Sequence, residues 1–119
     1  MAPAPSRGVI LTIEDPFVCS FLKIILERRG YTVMEKGLGS AMALLDPPDS
    51  PVSLVITNQP RHFEPYAHRV AILYLAAIPE PAQVACFPAS RVLRKPFLPD
   101  DLFAAVAELV GSGVAQPSL

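Results

Sequence analysis

The sequence has almost no excess of positive or negative charge. Ten basic and eleven acidic residues leave a formal net charge of −1 over 119 residues, so the basic stripe of a nucleic-acid-binding domain is missing. No apolar run approaches the ~18 residues that a membrane-spanning helix needs. We therefore predict that the protein binds neither nucleic acid nor a membrane, and we expect it in the cytoplasm.

Cysteine is scarce too, since Cys19 and Cys86 are the only two. They lie far apart, and no Cys-x-x-Cys spacing indicates a redox or metal site. Free cysteines usually behave as small buried apolar residues, which is what we expect here. His62 and His68 match no metal-ligand spacing and are interpreted as surface residues.

What the chain has in quantity is apolar side chains and proline. Hydrophobic residues make up 51% of the sequence, and the mean hydropathy is +0.39. The length suits one domain with a single core. We assign residues 8–111 to this domain and expect 1–7 and 112–119 to be flexible tails.

Strand-like and helix-like segments alternate along the chain, which is typical of α/β folds with a parallel sheet. A last helix is predicted from Pro99 to Val110, before Gly111. Between Gly37 and Ser40 we expect a turn. The five predicted strands are Val9–Ile13, Tyr31–Met34, Val52–Thr57, Val70–Leu75 and Arg91–Arg94.

The first helix has clear start and stop signals. Asp15 suits the N-cap, Pro16 suits the first helical position, and Gly30 suits the residue after the helix. Apolar residues recur at helical spacing, so we expect a deeply seated helix with a wide buried face. That face contains Phe17, Val18, Phe21, Leu22, Ile24, Ile25 and Leu26.

Two later crossovers are too poor in helix formers to carry full helices. Residues 59–69 contain Pro60 and Pro65, and residues 76–90 contain three prolines. A crossover needs about 10–12 residues including its helix, and proline opposes a helix interior. The third and fourth helices of the alternating pattern are therefore predicted to be short or missing.

If the third and fourth helices are short or missing, the sequence leaves open what covers one face of the sheet. The strands beneath them are apolar on both faces, and an uncovered apolar face usually marks an interaction site. Another copy of the chain or a partner could cover it. Alternatively, the irregular segments could fold down over the sheet. Four residues would then act as plugs, namely Phe63, Tyr66, Ile78 and Phe87.

Polar residues at the ends of three predicted strands form a pattern that resembles a known family. Glu14 and Asp15 follow the first strand, Asn58 ends the third, and Lys95-Pro96 follows the fifth. Over residues 8–111 the chain resembles the receiver domain of two-component response regulators. The resemblance implies a flavodoxin-like fold, with five parallel strands in the order 2-1-3-4-5 and the site at their carboxyl ends.

The resemblance also assigns roles. In receivers an acidic pair and an aspartate hold Mg²⁺, the aspartate takes the phosphoryl group, and a Ser/Thr and a Lys-Pro contact its oxygens. Glu14 and Asp15 match the acidic pair. Lys95 and Pro96 match the Lys-Pro. The acceptor position holds Asn58.

Two signature positions are therefore lost. The Ser/Thr position falls at Leu75 or Ala76, and neither carries a hydroxyl. Asn58 cannot form an acyl phosphate and removes a negative charge, so Mg²⁺ binding by Glu14 and Asp15 should be weak. With Asn58 neutral, Lys95 could pair directly with the acidic residues and hold the site in one state.

These positions predict a degenerate receiver, or pseudo-receiver, in phosphorelay signalling. It would be no enzyme, would need no cofactor, and would act through protein–protein interaction. Its partner could be a histidine kinase, another regulator or a second copy. The alternative is a small flavodoxin-like domain that binds an anionic ligand near Lys95.

Overall fold

The computed structural model describes residues 8–111, so both predicted flexible tails lie outside the described residues. Within that range the chain forms five strands, three α-helices and two 3₁₀ segments. The strands are β1 (Val9–Ile13), β2 (Thr32–Glu35), β3 (Val52–Thr57), β4 (Ala71–Ala76) and β5 (Ser90–Arg94). The helices are α1 (Pro16–Glu27), α2 (Leu38–Leu45) and α3 (Pro99–Val110). The first 3₁₀ segment is Pro60–Tyr66 and the second is Pro81–Val84.

The strands form one parallel sheet in the order β2-β1-β3-β4-β5, as predicted for a flavodoxin-like fold. β3 and β4 are buried along almost their whole length, which is expected when layers cover both faces of a parallel sheet. No helix of the described residues has the length and apolar character needed to cross a membrane.

One face of the sheet is covered by α1 and α3. Leu22 and Leu26 of α1 pack with Leu102 and Val106 of α3 against strand residues such as Leu54, and all are buried. The predicted last helix is confirmed with its bounds, and Gly111 follows it as its C-cap.

The opposite face is covered by α2 and the two 3₁₀ segments, which replace full third and fourth helices as predicted. Phe63, Tyr66 and Phe87 are buried there against strand residues such as Ile72. The proposed plug Ile78 is wrong, since it is 84% exposed. The chain thus covers this face itself, and the hypothesis that another copy or partner covers it is wrong.

The predicted turn at Gly37–Ser40 is wrong, because α2 already begins at Leu38 and runs to Leu45. Gly37 serves as its N-cap with an extended backbone. The segment is rich in glycine and serine, which favour turns, but burial of Ala41 and Leu45 against the sheet outweighs that local preference. Of the predicted strands, β1 and β3 have the predicted bounds, whereas the bounds of β2, β4 and β5 differ from prediction by one residue.

α1 begins at the predicted residue but ends slightly earlier than predicted, at Glu27 with Arg28 as its C-cap, so Gly30 is not the residue directly after the cap. The Asp15 carboxylate accepts a hydrogen bond from the backbone N–H of Phe17 at 2.9 Å, and Pro16 holds the first helical position. Gly30 follows with a φ of +91°, a conformation that favours glycine over residues with a Cβ. The start signal was sufficient because the backbone N–H that Asp15 caps lies only two residues away.

The predicted wide buried face of α1 is wrong. Phe17 is 87% exposed, Phe21 is 42% exposed and Ile24 is 54% exposed. The helix buries only the opposite side, where Leu22 and Leu26 meet the sheet. Apolar spacing shows which residues lie along one side of a helix, but it does not show which sides have neighbours.

The two cysteines have different environments. Cys19 is buried in α1 as predicted, whereas Cys86 is exposed, so the prediction of burial is wrong for Cys86. Cys86 lies in the turn after the second 3₁₀ segment, where Phe87 takes the buried position instead.

Candidate functional site

The candidate site lies at the carboxyl ends of the parallel strands. Glu14 follows β1, Asn58 follows β3, Ala76 ends β4 and Lys95 follows β5. Because parallel strands all end at the same edge of the sheet, the topology brings these positions to one region, which is where ligands bind in open α/β sheets.

Lys95 and Glu14 form the central contact of the site. The Lys95 Nζ lies 2.7 Å from the Glu14 Oε2. The side chain of Glu14 is fully buried, and that of Lys95 is 29% exposed. The predicted direct pairing of the lysine with the acidic pair is thereby confirmed for Glu14.

Because Glu14 is buried, its carboxylate needs a compensating partner inside the protein. Its Oε1 accepts a hydrogen bond from the backbone N–H of Asp15 at 2.9 Å, whereas its Oε2 has no partner of good hydrogen-bond geometry among the described residues. A buried carboxylate without a partner is strongly unfavourable. The ammonium of Lys95 therefore offsets the cost of burying Glu14.

The backbone holds Lys95 in place at the end of β5. Its N–H donates a hydrogen bond to the carbonyl of Ala76 at 2.9 Å, and the Lys95–Pro96 peptide bond is cis. Ala76 is the last residue of β4, whereas Leu75 is fully buried in the core. Of the two candidates, Ala76 thus stands at the strand end, and its methyl group offers no hydrogen bond.

Asp15 is used differently from Glu14. It is exposed, and one of its carboxylate oxygens caps the first turn of α1 through the N–H of Phe17. Lys95 makes its ion contact with Glu14 rather than with Asp15. The acidic pair is therefore split between a buried ion pair and a helix cap.

The end of β3 contains an amide and a buried hydroxyl. Asn58 is exposed directly after the strand. Thr57 is fully buried, and its Oγ1 accepts a hydrogen bond from the N–H of Gln59 at 3.0 Å. Its hydroxyl is thus occupied in the turn. His62 is exposed, as predicted, with a ring nitrogen 2.7 Å from the Gln59 Oε1.

These residues do not fit a Mg²⁺ ion. Mg²⁺ requires hard oxygen donors in near-octahedral geometry. Glu14 already faces the Lys95 ammonium, Asp15 caps a helix, and Asn58 supplies a neutral amide. Among residues 8–111 there is no group of three or more His, Cys, Asp or Glu side chains that could hold a metal.

A polar contact that the sequence did not reveal fixes the first 3₁₀ segment to α2. The Tyr66 hydroxyl donates a hydrogen bond to the carboxylate of Asp46, and Arg69 donates to the carbonyl of Pro47. The hydrogen bond to Asp46 and then burial raise the pKa of Tyr66 above its usual 10.0. A partner twenty residues away leaves no local signal in the sequence.

An exposed apolar patch beside the site was also missed. The ring of Phe21 lies 6.4 Å from that of Phe97, centroid to centroid, so α1 contacts the loop after Lys95. Leu98, next in that loop, is 67% exposed. Only the packing of α1 on the sheet reveals this patch.

No protein-family model and no curated protein matches the sequence, but solved structures of receiver domains have a similar fold. The receiver domain of the hybrid histidine kinase CckA is 19% identical, with a TM-score of 0.68 over 87% of this chain and 99% of that one. A response regulator receiver protein from Sinorhizobium medicae is 18% identical, with a TM-score of 0.70 over 87% and 94%. FixJ-N is 14% identical, with a TM-score of 0.72 over 92% and 95%. The chain therefore has the fold of response regulator receiver domains.

Proposed function

We propose that this protein is an atypical receiver domain in phosphorelay signalling that is not phosphorylated and acts through protein–protein interaction. The fold supports a signalling role. The main support is the ion pair between the Lys95 Nζ and the Glu14 Oε2, which lie 2.7 Å apart. It lies at a site where Asn58 occupies the phospho-acceptor position. The lysine that would neutralise phosphoryl charge is already paired with a carboxylate.

Phosphoryl transfer to this site lacks the groups that it needs. The reaction requires a nucleophilic carboxylate and cations that neutralise the developing charge. Asn58 offers an amide, which does not form an acyl phosphate. Ala76 has no hydroxyl for the phosphoryl oxygens. We therefore propose that the chain is not an enzyme and that Mg²⁺ is not part of its working state.

The proposal leaves binding as the way in which the domain acts. A histidine kinase, another regulator or a second copy are the partner classes that fit a receiver fold, and we expect the protein to work in a bacterial cytoplasm. The alternative of an anionic ligand near Lys95 is less favoured, because Glu14 already neutralises that lysine.

Phosphotransfer from a small-molecule phosphodonor with Mg²⁺, read by intact mass, tests the proposal. Native protein is compared with Asn58→Asp and with Asn58→Asp/Ala76→Thr. We expect no adduct on the native chain and an aspartyl phosphate on the double variant. Any stoichiometric adduct on the native chain would contradict the proposal. The absence of an adduct from all three proteins would show that restoring the aspartate and the hydroxyl does not restore phosphorylation, which would contradict the role given to Asn58 and Ala76.

A further inference from the structure

Three apolar side chains of α1 form a stripe on the surface. Phe17 is 87% exposed, Phe21 is 42% exposed and Ile24 is 54% exposed. Arg28, the exposed C-cap residue, extends the same line. At 3.6 residues per turn these four residues lie within about 60° of one another around the helix axis. We call these four residues the α1 stripe.

The α1 stripe has the form of a helix–helix contact surface. Its residues are separated by four, three and four positions, which is the spacing of side chains that form a ridge along a helix. From Phe17 to Arg28 the stripe extends about 16 Å. Phe97 contacts Phe21 and widens the apolar area beside it.

The α1 stripe is also complementary to itself in one orientation. A two-fold axis between Phe21 and Ile24 would place each Phe21 against Ile24 of the second copy. The same axis would place each Phe17 against Arg28 of the second copy, where a guanidinium can stack on the ring. An isologous interface needs this reciprocal match.

Charge supports the antiparallel arrangement. The N-terminal end of α1 carries the exposed carboxylate of Asp15, and the C-terminal end carries the exposed Arg28. Antiparallel pairing brings these ends together, and it also aligns the helix dipoles favourably. A parallel arrangement would instead place arginine beside arginine.

We propose that the α1 stripe is the interface of a homodimer in which two α1 helices pack antiparallel about a two-fold axis. This names the second copy as the partner and rests on the proposed function of binding without phosphorylation. The stripe is short, so the interface falls at the small end of specific interfaces, below about 1,200 Å² in total. We expect a reversible, concentration-dependent dimer.

Sedimentation equilibrium of the full chain over a range of concentrations tests the interface. We expect native protein to dimerise and Ile24→Asp to remain monomeric. Ile78→Asp is the matched control, because Ile78 is 84% exposed and lies far along the chain, after β4. It should dimerise like the native chain. A native monomer at all concentrations, or equal loss of dimer in both variants, would overturn the inference.

A pair of variants at Phe17 tests the orientation. In the antiparallel dimer, Phe17→Glu places a carboxylate beside Arg28 of the second copy, whereas Phe17→Arg places like charges together. We expect Phe17→Glu to dimerise at least tenfold more tightly than Phe17→Arg, with the difference shrinking at high salt. Equal affinities would contradict the antiparallel geometry. None of these measurements uses a phosphodonor, so they can fail while the proposed function stands, and the reverse also holds.

Discussion

The buried carboxylate of Glu14 dominates the site at the scale of single residues. Its side chain is fully buried and contacts Lys95 at 2.7 Å, while the lysine itself remains 29% exposed. The two partners therefore differ in how much they depend on the pair. Glu14 loses its compensating charge if Lys95 is removed, whereas the Lys95 ammonium can still reach water if Glu14 is removed.

This asymmetry predicts unequal effects of mutation. We expect Lys95→Met to lower the free energy of unfolding by about 3 kcal/mol, because it leaves a buried charge without a partner. Glu14→Gln should lower it by only about 1 kcal/mol, as for a pair that is partly exposed. Urea denaturation of both variants and of the double variant measures this. Equal losses in the two single variants would contradict the asymmetry.

Tyr66 gives a second prediction at this scale, in alkaline solution. Its raised pKa means that the folded state holds the phenol proton more tightly than the unfolded chain does. The stabilisation is fully present below pH 10.0, the ordinary pKa, and is lost as the pH rises through the raised value. We expect the free energy of unfolding to fall more steeply above that pH in native protein than in Tyr66→Phe.

The control for Tyr66→Phe is Asp46→Asn, which keeps the phenol of Tyr66 but removes the carboxylate that raises its pKa. That variant should likewise lose the extra slope of stability against pH. Below pH 10 the Tyr66→Phe variant should itself be about 1 kcal/mol less stable than native protein, since one hydrogen bond to Asp46 is lost. Parallel curves for native protein and Tyr66→Phe would show that the raised pKa has no effect on stability.

At the scale of elements, the two 3₁₀ segments are structural covers for the sheet. Phe63 is fully buried in the first segment although the segment itself is irregular and contains Pro65. We expect Phe63→Ala to lower the free energy of unfolding by about 3–5 kcal/mol, which is typical of truncating a buried aromatic residue.

The matched control is Phe17→Ala, the same substitution at a phenylalanine that is 87% exposed. At protein concentrations too low for dimerisation, it should change the free energy of unfolding by no more than about 0.5 kcal/mol. Urea denaturation measures both, and binding of a hydrophobic dye should rise only for Phe63→Ala. A small effect of Phe63→Ala would mean that the segment is not needed to cover the sheet.

The sequence predicted those features of the elements that depend on local chemistry. Proline spacing correctly excluded helices after β3 and β4, and Asp15 with Pro16 correctly marked the start of α1. The strand order followed from the resemblance. The exposed side of α1 and the Tyr66–Asp46 contact could not be predicted, because both depend on which distant segments lie nearby.

The candidate site was predictable to the same extent. Glu14 and Lys95 could be identified as partners because each follows a strand of one parallel sheet. The different roles of Glu14, in a buried ion pair, and of Asp15, in a helix cap, could not be predicted, because they depend on which carboxylate points into the protein. Likewise, the strand bounds and the backbone hydrogen bond from Lys95 to Ala76 were needed to show which of the two β4 residues lies at the strand end.

At the scale of the whole molecule, the described surfaces differ in their capacity to bind another chain. The sheet faces are covered by α1 and α3 on one side and by α2 and the 3₁₀ segments on the other. The sheet edges are β2 and β5, and exposed charges occupy both, namely Glu35 on β2 and Arg91 and Arg94 on β5. Charged edge strands resist pairing with other strands. In the α1 stripe, by contrast, Phe17, Phe21 and Ile24 are apolar and carry no charge that would oppose association.

The edge charges give a last prediction. We expect Arg91→Thr/Arg94→Thr to aggregate in mild denaturant, because threonine favours strands and the edge of β5 would lose both charges. Lys36→Thr/Arg61→Thr is the control, since it removes the same charge from exposed positions outside the strands. Light scattering over time measures the difference. If both double variants aggregate alike, net charge rather than edge protection keeps the protein dispersed. If only the β5 variant aggregates, the native edges are closed to other chains, and ordered association is directed to helical surfaces such as the α1 stripe.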